Sequence, residues 1–298
     1  MLSGTLGVIV PLLSGFLVGL MFGYSQRSAL FIGITLTATS VSISAQTLLQ
    51  LKKLRTREGL ALLSTAIADD VLVILLLSLF VAFTDESGAS PSAGPVVLRM
   101  SLYLLVSGAV AYGLLPQLAL WASRQPVSEG LTSFVVIAAL AFAWSAEAWG
   151  GLAAITGAFI AGVGLARSPL RDTIERSMHA ITYAFFVPVF FVSIGLHTDL
   201  HQITPSVLPF ALAIILAAII GKLLGAGGGA KLAGFTWGEA LRVGLGMISR
   251  GEVGLIVATV GINAGLITTE VFSVVTLLVL TTTLITPPLL RLSYARNK

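Results

Sequence analysis

The sequence has no cysteine and very little charge. Only 10% of its 298 residues are Asp, Glu, Lys or Arg, whereas 56% are hydrophobic and the mean hydropathy is +0.99. The absence of cysteine excludes disulfides, thiolate catalysis and cysteine-based zinc sites. A soluble domain of this length has no use for so much apolar surface. We therefore predict an all-α, polytopic membrane protein that forms one membrane domain.

Apolar runs between charged or Gly/Pro/Ser-rich segments predict about ten transmembrane helices. A bilayer core of about 30 Å takes roughly 20 apolar residues per helix, so a chain of this length can supply about ten spans. The predicted spans are 5–23, 28–50, 59–84, 97–115, 130–148, 150–166, 178–197, 207–228, 238–264 and 268–290.

The distribution of basic residues supports this count of spans and predicts an orientation. One set of alternate loops contains only two basic residues, Arg27 and Arg99. The other set holds twelve basic residues: Lys52, Lys53, Arg55, Arg57, Arg124, Arg167, Arg171, Arg176, Lys231, Arg291, Arg296 and Lys298. Because basic loops stay on the cytoplasmic side, we expect a multi-pass protein of the cell inner (plasma) membrane with both termini cytoplasmic. The net charge of +4 then requires no nucleic-acid partner.

A few ionisable residues fall inside predicted spans. Asp69 and Asp70 lie near the middle of the span 59–84, and Lys222 lies in the apolar span 207–228. Such residues cost several kcal/mol unless they face a cavity or a partner, which makes them candidates for function. Adjacent helical side chains point about 100° apart, so one acid can face a water path while the other meets Lys222. Hard carboxylate oxygens suit Na⁺, Li⁺ or H⁺. A purely structural buried ion pair is the competing interpretation.

Two further segments interrupt the apolar pattern. Residues 35–42 are rich in hydroxyls, including Thr37, Thr39 and Ser40, and residues 244–254 contain four glycines around Arg250 and Glu252. Hydroxyls can bond the backbone of an unwound turn, and glycines weaken a helix. Each segment lies in the second span of a three-span set at one end of the chain. Discontinuous helices at matching places of two inverted repeats are typical of a transporter's midplane site.

Five motifs, taken together, resemble a known family. They are Thr37-Ala38-Thr39-Ser40-Val41, Ala68-Asp69-Asp70, Phe190-Phe191-Val192-Ser193-Ile194-Gly195-Leu196, Gly221-Lys222-Leu223-Leu224-Gly225 and Arg250-Gly251-Glu252. With these motifs in this order, the chain resembles, from end to end, the cation:proton antiporters of the NapA and Kef branch, relatives of the NhaA exchangers. The resemblance implies an inverted-repeat antiporter fold with two discontinuous helices and an elevator-like movement.

The resemblance also implies a division of the chain. Residues 1–84 and 207–298 correspond to the two repeats of a core (transport) domain, 130–206 to helices on the dimerisation side, and 85–129 to a linker helix and loops. Family members usually carry about three more helices, on the dimerisation side, ahead of the first span predicted here. We therefore expect a homodimer if such helices are supplied.

Roles for individual residues come from the same resemblance. Asp70 corresponds to the principal ion and proton carrier, and Asp69 to the acid that pairs with Lys222. Thr37, Thr39 and Ser40 correspond to the unwound stretch beside the site, where Na⁺ would bind Asp69 and Asp70. Glu252, with Arg250, would offset the dipole ends of the second broken helix. The expected partners are a monovalent cation, protons and the lipid bilayer, and no cofactor is expected.

The function predicted from the sequence is therefore secondary antiport of Na⁺ or Li⁺ against H⁺, not enzymatic catalysis. Exchange of K⁺ for H⁺, as in the Kef type, is the nearest alternative, although potassium-efflux relatives more often have Gln-Asp at the acid pair. A membrane sensor or scaffold that does not transport is a second alternative. An intramembrane aspartyl protease needs its two acids on facing helices, whereas Asp69 and Asp70 are neighbours on one helix.

Overall fold

The computed structural model describes residues 2–84, 93–152, 154–197 and 204–295, and these ranges contain helices but no strand. The helices are α1 Leu2–Met21, α2 Gln26–Thr35, α3 Val41–Gln50, α4 Arg57–Thr84, α5 Ala93–Gly113, α6 Leu115–Ala122, α7 Gly130–Ser145, α8 Ala154–Leu165, α9 Arg171–Ile181, α10 Val187–His197, α11 Leu208–Lys222, α12 Gly228–Leu232, α13 Trp237–Gly246, α14 Glu252–Asn263 and α15 Thr269–Ala295. Within these ranges, three π-helical turns, Ala146–Gly150, Thr182–Phe186 and Leu223–Gly227, directly follow α7, α9 and α11. The protein is all-α, as predicted.

Within the described ranges, five helical stretches are long and apolar enough to cross a membrane, or six if α5 and α6, which are bent by 40°, count as one span. The five are Leu2–Met21, Arg57–Phe80, Gly130–Gly150, Leu208–Leu232 and Thr269–Ala295. The predicted spans 28–50 and 238–264 fail this test because each is interrupted, at 36–40 and 247–251. These two interruptions are the discontinuous helices expected from the sequence, and the architecture is that of a polytopic membrane protein.

The chain divides into two compact units. One comprises Met1–Val73 and Ser193–Lys298, and the other comprises Ile74–Val192. Small residues allow close helix packing in the first unit. Such packing is usual in membranes, because lipid is as apolar as the side chains and the hydrophobic effect does not drive helices together. A Cβ on Gly15 would lie 2.9 Å from Gly33 Cα on α2.

The helix that carries Lys222 packs against α1 through three regularly spaced glycines. A Cβ at Gly221 would meet Pro11 Cα at 3.1 Å, one at Gly225 would meet Leu6 O at 2.4 Å, and one at Gly229 would lie within 3 Å of the α1 backbone. Larger side chains at the last two positions would therefore force the helices apart. The π-helical turn Leu223–Gly227 lies in the middle of this contact.

The second unit is built mainly from α5, α7 and α8. A Cβ on Gly157 would lie 1.9 Å from Phe142 O, so α8 packs directly against the backbone of α7. Ser78 and Thr156 pair their buried hydroxyls at 2.8 Å within this unit. The Phe190–Leu196 motif from the sequence lies on α10, where the chain passes from this unit back to the first.

The start of α13 is fixed by a capping box. Thr236 Oγ1 accepts from the backbone N–H of Glu239 at 3.3 Å, and the Glu239 carboxylate accepts from the Thr236 backbone N–H at 2.8 Å. Two turns further on, Arg242 pairs with Glu58 at the start of α4, at 3.2 Å and with both side chains largely buried. The first half of the second broken helix is therefore anchored to the helix that carries the two acids.

Candidate functional site

The candidate site lies where the two broken helices meet, entirely within the unit Met1–Val73 and Ser193–Lys298. In the first interruption, Thr37 Oγ1 donates to Ile34 O at 2.6 Å, and Thr39 Oγ1 lies 3.3 Å from Thr37 O. Hydroxyls that bond nearby carbonyls offer the backbone an alternative to the helical ladder. Ser40 then adopts extended backbone angles as the N-cap of α3.

The second interruption depends on glycine. Gly251, immediately before α14, has non-helical backbone angles, with φ −159° and ψ −142°. A Cβ at this position would lie 2.7 Å from both Cβ and Oγ of Ser40. Any other residue would therefore push the second interruption away from the first.

Serines join the two interruptions directly. The backbone N–H of Ser40 donates to Ser249 O at 2.9 Å, and Ser249 Oγ donates to Ser40 O at 2.7 Å. Ser44 Oγ, one turn into α3, donates to Gly246 O at 2.6 Å. Irregular backbone at membrane depth requires partners of this kind, since the hydrocarbon offers none.

Arg250 occupies the centre of the crossing and is 1% exposed. Its Nη1 donates to Ala38 O in the first interruption, and its Nη2 donates to Ala218 O on α11 at 3.4 Å. The carbonyl end of a helix carries partial negative charge. The positive charge of the guanidinium therefore stabilises the carbonyl end of α2.

Lys222 and Asp69 form a fully buried ion pair. Lys222 Nζ lies 2.8 Å from Asp69 Oδ2 and 3.0 Å from Oδ1, and both side chains are 0% exposed. Thr39 Oγ1 donates to the same Oδ2 at 2.5 Å. The first interruption, α4 and α11 thus meet at a single carboxylate.

Asp70 is less buried than Asp69 and has a different environment. Its Oδ1 is buried and has no hydrogen-bond partner among the residues that the structure describes. A buried carboxylate oxygen without a donor is costly, and a proton or a cation removes that cost. The two neighbouring acids therefore differ: Asp69 is satisfied by protein groups, whereas Asp70 has an oxygen available for a ligand.

Glu252 is the first residue of α14, and its side chain is exposed. A carboxylate in the first turn of a helix is favourable because the helix N-terminus carries partial positive charge. The position of Glu252 therefore differs from that of Arg250, which faces the interior.

The sequence of the chain matches the family described as "Sodium/hydrogen exchanger, transmembrane" over residues 1–292. The chain belongs to this family. The match includes both interruptions, the acid pair and Lys222, so the geometry described above lies in the exchanger's own membrane domain.

Named relatives agree with this assignment. The chain is 37% identical to the Na(+)/H(+)-K(+) antiporter GerN of Bacillus cereus over 98% of its own length and 75% of that protein's. It is 35% identical to the Na(+)/H(+) antiporter of Enterococcus hirae, over 98% of its own length and 76% of that protein's. It is 33% identical to the high-affinity Na(+)/H(+) antiporter NhaS3 of Synechocystis sp., over 96% of its own length and 62% of that protein's.

Every residue that the sequence singles out for the site lies at or beside the crossing of the broken helices. In the described part of the chain, there is no group of three or more His, Asp and Glu residues that could hold a metal ion. The sequence did not single out Ser44, Ser249, Thr282 or Thr283, although each contacts one of the interruptions. Hydroxyl residues within apolar spans are too common to mark these four from the sequence.

Proposed function

We propose that this family member exchanges Na⁺ or Li⁺ for H⁺ by competition at Asp69 and Asp70. The relatives named above are Na⁺/H⁺ antiporters by name, and antiport of a monovalent cation against protons is the function that their similarity supports. The observation that carries the site assignment is the buried Asp70 Oδ1 without a donor, next to an ion-paired Asp69 and beside two broken helices. A carboxylate in this setting can take either a proton or a cation.

The Lys222–Asp69 pair supplies the coupling in this proposal. Arrival of Na⁺ between the two acids would compete with Lys222 for Asp69 and would require Asp70 to be ionised. Release of one proton from Asp70 and one from the Lys222 ammonium, once Lys222 leaves Asp69, would exchange two protons for one Na⁺. Each net charge moved is then worth about 2.3 kcal/mol per 100 mV.

For the movement, we propose elevator-type alternating access, with residues 1–84 and 207–298 as the core domain. Residues 130–206 would supply the dimerisation side and 85–129 the linker. The grouping of Met1–Val73 with Ser193–Lys298 supports a core built from both ends of the chain. The proposal also includes a homodimer in the inner membrane. The excess of basic residues in one set of loops favours cytoplasmic termini.

Exchange of K⁺ for H⁺ is the second candidate. The name of GerN includes potassium, and this relative covers nearly the whole chain. The acid pair favours the smaller ions, because a Na⁺ or Li⁺ site gains most from two close carboxylates.

Proteoliposomes test the proposal directly. Dissipation of an imposed pH gradient is followed by fluorescence after addition of Na⁺, Li⁺ or K⁺. We expect a response to Na⁺ and Li⁺ that Asp70→Asn abolishes, because an amide can neither release a proton nor neutralise the cation. Asp172→Asn is the matched control, since Asp172 is an exposed aspartate on α9, outside the site.

The outcomes separate the candidates. Undiminished flux in D70N would refute the role of Asp70. A response to K⁺ alone would favour potassium exchange, and no response of the unmodified protein to any of the three cations would favour a sensor or scaffold.

A further inference from the structure

Two neighbouring threonines of α15 hold the backbone of Arg250 from both sides. Thr282 Oγ1 accepts a hydrogen bond from the Arg250 backbone N–H at 3.3 Å, and Thr283 Oγ1 donates one to the Arg250 C=O at 2.7 Å. Residue 250 lies between α13 and α14, so its peptide groups need partners from another element. The uninterrupted helix α15 supplies both.

The two threonines differ in how much of their hydrogen bonding is local. Thr282 Oγ1 also donates to Leu278 O of its own helix at 2.8 Å, which is the ordinary behaviour of a helical threonine. Thr283 Oγ1 instead donates across to Arg250, where a valine of nearly the same shape could not. Thr286 provides a comparison, because it is fully buried one turn further along and its hydroxyl donates to Thr282 O at 2.7 Å.

Fixing the backbone of Arg250 also fixes where its guanidinium points. The guanidinium bonds Ala38 O in the first interruption and Ala218 O on α11. In an α-helix the carbonyl of residue 218 accepts from the N–H of residue 222. Arg250 therefore bonds the helical turn that ends at Lys222. A displaced Arg250 would therefore loosen both the first interruption, which carries Thr39, and the turn that carries Lys222.

We propose that Thr282 and Thr283 are positioning residues for cation binding, which hold Arg250 so that Thr39 and Lys222 stay in place around Asp69. The inference rests on the function proposed above, in that the binding it concerns is that of the transported cation at the Asp69–Asp70 pair. The two threonines do not contact the cation. Their contribution is to keep Thr39 and Lys222 at the correct distances from Asp69.

The test uses Thr282→Val and Thr283→Val in proteoliposomes and compares the half-saturating Na⁺ concentration with the maximal exchange rate. Each change removes a hydroxyl and little volume. We expect the half-saturating Na⁺ concentration to rise about five-fold for each variant, the effect of losing one hydrogen bond of ordinary strength. The maximal rate should change less than this. Thr286→Val is the control and should leave both values unchanged.

Thr283→Ser restores the hydroxyl and should restore the half-saturating Na⁺ concentration, which a role in packing alone would not predict. If T283V yields no monodisperse protein, T282V carries the test by itself, judged against T286V. Equal half-saturating Na⁺ concentrations in T282V, T283V and T286V would overturn the inference. Absence of exchange in the unmodified protein would instead contradict the proposed function, so the two failures are distinguishable.

Discussion

The two helix interruptions differ in where their hydrogen-bond partners come from. In the first, residues 36–40, the Thr37 hydroxyl donates to Ile34 O in the last turn of α2, and the Thr39 hydroxyl lies 3.3 Å from Thr37 O. In the second, residues 247–251, Ser40 of the first interruption bonds Ser249 O, and Thr282 and Thr283 of α15 bond the backbone of Arg250. The two interruptions share the bonds between Ser40 and Ser249, whereas the Arg250 backbone in the second also depends on hydroxyls of α15, an uninterrupted helix. The second interruption should therefore be the more sensitive to changes elsewhere in the protein.

The largest expected effect concerns Asp69, which the first interruption and Lys222 share. Asp69→Leu would leave Lys222 buried without a counter-ion and should lower the free energy of unfolding by about 3–5 kcal/mol. Denaturant unfolding in mixed micelles measures this change. The double variant D69L/K222M should recover most of the loss, because two apolar residues replace the pair. A double variant as unstable as D69L would show that the buried charge is not the cause.

A smaller effect is expected where the two interruptions touch. Gly251→Ala places a Cβ 2.7 Å from the side chain of Ser40. Overpacking of this contact should cost about 1–3 kcal/mol of stability. The melting temperature in detergent measures it.

Gly238→Ala is the matched control for this change. Gly238 lies in the first turn of α13, where a Cβ would meet nothing within 4 Å. Replacing it with alanine should leave stability unchanged or raise it slightly, since alanine is the better helix former. Equal melting temperatures for G251A and G238A would mean that the two interruptions can separate freely.

The smallest effect contrasts a hydroxyl that crosses between the interruptions with one that does not. Ser249→Ala removes the bond to Ser40 O and should cost about 1 kcal/mol. Thr37→Val should cost less than about half of that, because Ile34 O still accepts from the backbone N–H of Thr37 at 3.0 Å. Unfolding free energies of the two variants measure the contrast. A larger loss for T37V than for S249A would mean that the bond within the first interruption matters more than the bond between the two interruptions.

Much of the site could be predicted from the sequence because charge is so rare in this chain. Asp69, Asp70 and Lys222 stand out in apolar runs, and their cost in a membrane marks them without any structure. The family match bears out the class of transporter that the motifs indicated. The predicted interruptions also coincide with the breaks between α2 and α3 and between α13 and α14.

The sequence was less informative about tertiary contacts. Nothing in the local pattern indicates that Arg250 reaches Ala38 and Ala218, or that Thr282 and Thr283 bond its backbone, because each contact joins residues at least 32 positions apart. The count of about ten spans also remains a prediction. Length and hydropathy identify five or six spans in the described ranges, since several predicted spans are short or interrupted.

The π-helical turn Leu223–Gly227 keeps a long helix in phase with its neighbour. In a regular α-helix, positions four apart drift by about 40° around the axis, so Gly221, Gly225 and Gly229 would gradually rotate away from α1. A wider turn rotates less per residue and cancels part of that drift. All three glycines therefore stay against α1 while Lys222 points elsewhere. The number of residues in this turn is thus constrained, as is the glycine at position 225.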